Sequence, residues 1–356
     1  MERSLYDKRL IENTVNDMKY KTLFKTLMAM AVALIASSTI TAQVTNNYDA
    51  QIASILHRLD SLEQLLAEAG LGEDDMSRTV QIDNGALPGT FSVSEKTKVR
   101  FAMGNLQYQA STGTWRFAKK QHTVVGKSNS KVSATNAGWI DLFVWGTSGY
   151  HDDADKENLH YQPYSTSYEQ HEANRHNSFG YGPSTNMKSK DLTGKSAQYD
   201  WGVHNAISNG GEKAGMWRTL TKDEWDYVLN KRATEMRYSI ATVAGRSGVI
   251  LFPDSFSMPA GIAKPVAANL GSTYKDYTVD EEQWNQMESA GAVFLPAAGY
   301  RVGASVYGFG QDGQYWSSSH ESQDYAYRLN FGDGYAGISS CGRFDGFAVR
   351  LVRDEK

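Results

Sequence analysis

Cysteine is nearly missing from this 356-residue sequence, where Cys341 stands alone. That excludes an intramolecular disulfide framework, a thiolate zinc cluster and any mechanism needing two thiols in one chain. Proline is scarce too, seven against 32 glycines, which argues against collagen-like repeats and Pro-rich disorder. Charge of one sign is not in excess, and a formal net charge of −4 does not suit a dedicated nucleic-acid binder. The apolar stretch from Leu27 to Ile35 falls short of the ~20 residues of a comfortable membrane span.

What is present at the N-terminus has the order of a secretory signal. Lys19, Lys21 and Lys25 precede the apolar stretch, and Ser37, Ser38 and Thr41-Ala42-Gln43 follow it, so residues 1–42 are expected to be removed near Ala42. Met18 is the better translation start, which would make residues 1–17 a mis-called extension. An uncleaved amphipathic anchor is the alternative. No cysteine lies directly after the apolar stretch, so lipid attachment at that point is not expected. Export would place the mature chain at the cell surface, in the outer membrane or outside the cell.

Over residues 48–70, Ile52, Ile55, Leu59, Leu62, Leu66 and Ala69 form an a/d seam, and Gly70 and Gly72 end the helix. Such a short seam either joins copies into a homo-oligomer through 52–69 or packs on the domain as an ordinary amphipathic helix. Residues 71–86 read as a polar linker, and 87–356 as the globular domain. Its first half shows short half-buried strands around Thr90–Val93, Val99–Phe101 and Trp115–Phe117. Thr221 with Glu224 forms a capping box, with Trp225, Val228 and Leu229 on the buried side of a helix ending near Arg232. Asp280 with Gln283 marks a second helix, with Trp284 and Met287 on one face and Gly291 as its stop. Strands are expected at Val293–Leu295, Tyr315–Ser318, Tyr325–Phe331 and Phe347–Val352. Residues 151–200 lack a sustained apolar period and read as a long insertion over the domain.

Four motifs carry a resemblance. Trp217-Arg218-Thr219-Leu220-Thr221 leading into Glu224-Trp225, Phe294-Leu295-Pro296-Ala297-Ala298-Gly299-Tyr300-Arg301, Tyr315-Trp316-Ser317-Ser318-Ser319 and Gly346-Phe347-Ala348-Val349-Arg350-Leu351-Val352 occur in this order. Together they resemble the formylglycine-generating-enzyme (sulfatase-modifying factor) type of C-type lectin fold, an α+β class. Asn105-Leu106-Gln107-Tyr108, Trp115-Arg116-Phe117 and Gly138–Phe143 further resemble a group of exported Bacteroidetes proteins, some of them variable proteins of diversity-generating retroelements. The resemblance implies a scaffold role for Arg218, Glu224, Trp225, Trp316, Phe347 and Arg350, with the arginine at 350 bonded to a carboxylate or backbone carbonyl.

Catalysis of the formylglycine-generating kind uses a pair of cysteines in that family, and here only Cys341 is available, with Arg343 close enough in sequence to lower its pKa. His151, His160, His171 and His176 cluster in the insertion without a metal-binding spacing, and Asp152, Asp153, Asp155 and Glu157 lack the turn glycine of a calcium loop. The expectation is therefore of a protein that is not an enzyme and needs no cofactor or metal. The alternatives are a formylglycine-generating-like oxidoreductase or pseudo-enzyme, and a structural cell-surface subunit.

The segment from Asp324 to Arg353 contains no Lys, Glu, Gln, Met or Trp, although roughly six would be expected from their share of the chain. Randomising the first two bases of an Asn-type codon would produce that gap, and so would a preference for short side chains in Gly-rich turns and strands. Tyr327, Leu329 and Phe331 alternate with Ala326, Arg328 and Asn330, so one face should pack and the other stay free, before a loop over Gly332–Gly337. The Tyr, Arg, Ser, Asn and Gly content suits an adaptable binding surface. The expected ligand-binding residues are His320, Arg328, Asn330, Asp333, Tyr335, Ser339, Ser340, Cys341, Arg343, Phe344 and Asp345, and of these Arg328, Asn330, Asp333, Tyr335, Ser339, Arg343 and Phe344 are expected outside the core. The expected partner is a protein or glycan ligand on another cell, a phage or a host surface, and no nucleic acid.

Overall fold

Alternating apolar residues, short polar turns and three capped helices give a mixed α+β fold that is mostly sheet. The computed structural model describes residues 80–151, 162–165, 190–322 and 324–355. The expected signal segment, the expected heptad helix and most of the expected insertion, including His160, His171, His176 and the 152–157 acidic run, lie outside the described residues.

In chain order the elements are β1 (Ala86–Ser92), β2 (Lys98–Ala102), β3 (Leu106–Gln109), β4 (Thr114–Phe117), β5 (Trp139–Ile140), β6 (Phe143–Val144) and α1 (Trp201–His204). Next come α2 (Lys222–Asp226), β7 (Tyr238–Val243), β8 (Arg246–Leu251), β9 (Thr278–Val279), α3 (Glu281–Ser289) and β10 (Val293–Pro296). The last are β11 (Tyr300–Val302), β12 (Ser305–Tyr307), β13 (Gly313–His320), β14 (Tyr325–Gly332), β15 (Tyr335–Gly342), β16 (Gly346–Phe347) and β17 (Val352–Asp354). Among the described residues they form five small sheets, ordered β1-β2-β17, β10-β8-β7-β9, β12-β11-β16-β6, β13-β14-β15 and β4-β3-β5. In the first of these, β17 near the chain's end pairs antiparallel with β2, Val352 opposite Phe101.

Both capping boxes form. Thr221 Oγ1 accepts from the Glu224 amide while Glu224 Oε2 accepts from the Thr221 amide, and α2 then runs into a wider turn over Tyr227–Lys231. Asp280 and Gln283 reciprocate in the same way, Trp284 and Met287 are buried, and Gly291 leaves the helix with φ at 98°. Each box contributes on the order of 1 kcal/mol by satisfying amides that the first helical turn leaves without partners. The Arg218 guanidinium bonds both oxygens of Glu224 at 2.8 Å and also reaches Asp354, tying α2 to the chain end. Trp145, Trp201, Trp217, Trp225, Trp284 and Trp316 are all fully buried, so aromatic area dominates the core.

Four expectations are corrected. Val80 is buried, so packed structure begins ahead of Leu87. Residues 190–200 are not part of a loose insertion: Leu192 and Tyr199 are buried, and the Leu192 amide donates to Ser318 O at 2.7 Å. Phe347–Val352 is not one strand. Ala348 exchanges bonds with β13, while Val349 O and Leu351 O accept from Leu106 and Ala102, so the segment serves different neighbours and forms no single ladder. Arg350, buried among them, donates to Ala102 O and Phe294 O. The loop expected over Gly332–Gly337 is a tight turn at Asp333-Gly334, after which β15 pairs along its whole length with β14.

Candidate functional site

β14 and β15 pair antiparallel from Tyr325 opposite Gly342 to Gly332 opposite Tyr335. The turn between them needs Gly334, whose φ is 93°. It is pinned from outside by Asp333 Oδ1, which accepts from the Tyr274 amide at 2.7 Å, and by the Gly334 amide, which donates to Ser272 O. β13 lines the other side of β14, with Gln314 opposite Asn330, Trp316 opposite Arg328 and, after an irregularity, His320 opposite Ala326.

Side chains alternate across this sheet. One face carries Tyr315, Leu329, Phe331, Ala336 and Ile338 into or against the core that includes Trp225. The register places Gln314, Trp316 and His320 of β13, Ala326, Arg328 and Asn330 of β14, and Tyr335, Gly337, Ser339 and Cys341 of β15 on the other. This second face is not wholly free, as the sequence alternation implied. At one end Trp316 and Ala326 are buried in a second core cluster with Phe347, against which Cys341 packs. Toward the turn it opens: a methyl at Gly337 would meet nothing within 4 Å.

Arg328 is half-buried, its guanidinium carbon 4.9 Å from the centre of the Phe347 ring and its Nε donating to Ser339 Oγ at 3.3 Å. Tyr335 is 43% exposed and its hydroxyl donates to Asn330 Oδ1 at 3.4 Å. Asp312, at the edge of β13, has its carboxyl raised above the ordinary range by burial, with the Arg328 charge pulling the other way. The Tyr335 hydroxyl is raised as well, first by burial and then by the Asp312 charge. Tyr300 stacks on the half-exposed Tyr307 at 5.7 Å and meets the Phe347 ring edge-on.

His320 and Cys341 sit at the opposite end. His320 Nδ1 lies 2.6 Å from Asp191 Oδ1, which also accepts from the His320 amide. Burial, then the Asp345 charge, pushes the Cys341 thiol up to about 11, and its Sγ donates to Asp345 Oδ2 at 3.1 Å. Arg343, expected beside that thiol and on the surface, is fully buried. It donates to Tyr325 O and Ser322 O and stacks 4.5 Å from the centre of the Trp145 ring. Asp345 is also buried, at 8% exposure, so neither belongs to an accessible surface. Ser340 is half-buried on the core side opposite Tyr327, and the Phe344 ring covers Gly342. Asp333 is exposed with one carboxylate oxygen committed to the turn.

The open part of the face therefore brings together Arg328, Asn330, Tyr335 and Ser339 of the expected set. Next to it the structure places the buried Gln314 opposite Asn330, Asp312 just ahead of β13, and Tyr300 and Tyr307 of the neighbouring sheet, which reach it through the Phe347 ring; the sequence reading missed all four as site residues. A signal for Gln314 existed, since counting back two residues from Trp316 along a strand stays on the same face. Among the described residues no group of three or more His, Cys, Asp or Glu could hold a metal ion, and no helix is long and apolar enough to cross a membrane.

A family model described as Domain of unknown function (DUF8237) matches residues 263–352, a stretch that runs from ahead of α3 through the β13–β15 sheet. No curated protein and no solved structure matches the chain.

Proposed function

We propose that this chain is an exported ligand-binding protein, receptor-like or adhesin-like, that presents the open half of the β13–β15 face on a C-type-lectin scaffold of the formylglycine-generating-enzyme type. The observation that carries the reading is the segregation within one segment: Leu329 and Phe331 build the core, while Arg328, Asn330, Tyr335 and Ser339 of the same hairpin stay half-buried or exposed around the open position at Gly337. Loops and strand faces held by a rigid scaffold tolerate exchange of side chains, which suits variation by a retroelement. The scaffold motifs behave in keeping with this reading, Arg218 pairing with Glu224 and Trp225, Trp316 and Phe347 lying in the core. Recognition rather than catalysis is favoured by Cys341, whose thiol is held protonated near neutral pH and has no second cysteine in the chain.

An array of glycans and surface proteins probed with the full chain tests the proposal. Arg328→Met, which keeps a long apolar side chain beside Phe347 and removes the charge, and Tyr335→Ala should each lose the ligands that the wild-type chain binds, because Arg and aromatic anchors dominate interface energetics. Ligands retained unchanged by both variants would place the binding surface elsewhere.

A further inference from the structure

We propose that the open face takes a ligand group in which a carboxylate is flanked by hydroxyls, as in a uronic acid or another acidic sugar residue. This rests on the ligand-binding reading above and names the chemistry it would recognise.

Arg328 supplies the cation. Its Nε is occupied by Ser339 Oγ and its plane is backed by Phe347, yet neither terminal nitrogen meets an acceptor and no carboxylate lies within ion-pairing distance among the described residues. The half-buried or buried Arg218, Arg301 and Arg343 each commit terminal nitrogens to carboxylates or carbonyls. A guanidinium held at Nε with its terminal fork unoccupied is preorganised for an oxyanion, because a carboxylate matches two parallel N–H donors.

Gln314 supplies the second, independent observation. It is only 6% exposed, it lies on the same face beside Asn330, and its Oε1 is buried without a donor among the described residues. Buried polar atoms of this kind are uncommon in folded proteins and raise the free energy of the fold unless something completes them. A hydroxyl donated by a ligand would do so.

Asp312, just ahead of β13 and two residues before Gln314, adds a negative charge near Arg328. Its charge is felt by both Arg328 and Tyr335, but it forms no ion pair with Arg328. A bare carboxylate in the Arg328 fork would be repelled by it. A ligand carrying O–H groups next to its carboxylate satisfies all three, giving an acceptor to Arg328 and donors to Asp312 and Gln314. The ring of Tyr335, 43% exposed beside the open Gly337, offers a flat apolar surface for the C–H face of a sugar.

Titrating the full chain with sodium glucuronate, with glucose and sodium acetate as controls, over ~0.1–20 mM tests this. Saturable binding is expected for glucuronate alone. Arg328→Met should weaken it by about tenfold or more, since the charge-assisted fork is lost. Gln314→Leu should also weaken it, yet raise the melting temperature, because an apolar group of similar shape replaces an amide without a partner. A purely structural glutamine would lower the melting temperature when replaced. Equal behaviour of the three probes, undiminished glucuronate binding by Arg328→Met, or saturation by an Asp-rich peptide in place of glucuronate would each overturn the proposal. None of these touches the broader reading, which fails separately if array ligands survive both Arg328→Met and Tyr335→Ala.

Discussion

Arg328 and Arg343 belong to one segment and have opposite situations. Arg343 is fully buried with its guanidinium on the carbonyls of Ser322 and Tyr325 and over Trp145. Replacing it by alanine leaves those carbonyls and a cavity behind, so Arg343→Ala should cost about 3–5 kcal/mol in equilibrium unfolding. A loss under ~1 kcal/mol would mean that the arginine is not a core residue. Cys341 makes a chemical prediction of its own. With the thiol near 11, iodoacetamide should alkylate it slowly at pH 8, and Asp345→Asn should speed the reaction by removing both the neighbouring negative charge and the carboxylate acceptor. Fast alkylation of the wild type at pH 8, followed by mass spectrometry, would contradict the assignment. Little of this was legible beforehand: Asp345 stands close to Cys341 in sequence, but that the two side chains meet and that Arg343 turns inward over Trp145 follows from tertiary packing.

At the scale of elements, the local signals were the readable ones. The two capping boxes and the stop at Gly291 rest on residues a few positions apart, where chain geometry alone brings partners together, whereas the pairing of Arg218 with Glu224 was not read from the sequence. β15 was not readable. Its sequence, Tyr-Ala-Gly-Ile-Ser-Ser-Cys-Gly, has little strand propensity, and it is extended because β14 supplies a complete ladder. The Asp333-Gly334 pair was the available hairpin signal. Two substitutions probe this element. Gly334→Val should destabilise by about 1–3 kcal/mol, since a β-branched residue strains at a φ of 93°. Gly313→Ala should do as much or more, because the new methyl would collide with the buried Phe331 ring. Thermal unfolding checks both, and wild-type melting temperatures would argue against this register.

On the scale of the whole molecule, the polar groups inside the core make stability depend on pH. Asp141 is fully buried and burial raises its carboxyl to about 6, although the Val125 amide and the Asn129 side-chain amide bond it and pull it down. The folded state therefore keeps a proton that the unfolded chain releases near its ordinary value of about 4. This contribution is most favourable below about pH 4 and falls as pH rises to about 6, by up to about 3 kcal/mol for a two-unit shift. Asp200 is raised by burial too and acts in the same direction. Asp141→Asn should show a smaller decline of stability between pH 4 and 6 than the wild type, measured by denaturant unfolding across that range. An unchanged slope would assign the effect elsewhere.

The same scale decides the central claim, that one segment divides its residues between holding the fold and meeting a ligand. Melting temperatures of Arg328→Met, Tyr335→Ala and Leu329→Ala test it together. Leu329 is fully buried, and its truncation should cost about 2–5 kcal/mol, a fall on the order of 5–15 °C for a domain of this size. The two face variants should each stay within about 3 °C of wild type, as expected where side chains leave the core. If Arg328→Met and Tyr335→Ala melt as low as Leu329→Ala, the open face is part of the core and the account is wrong.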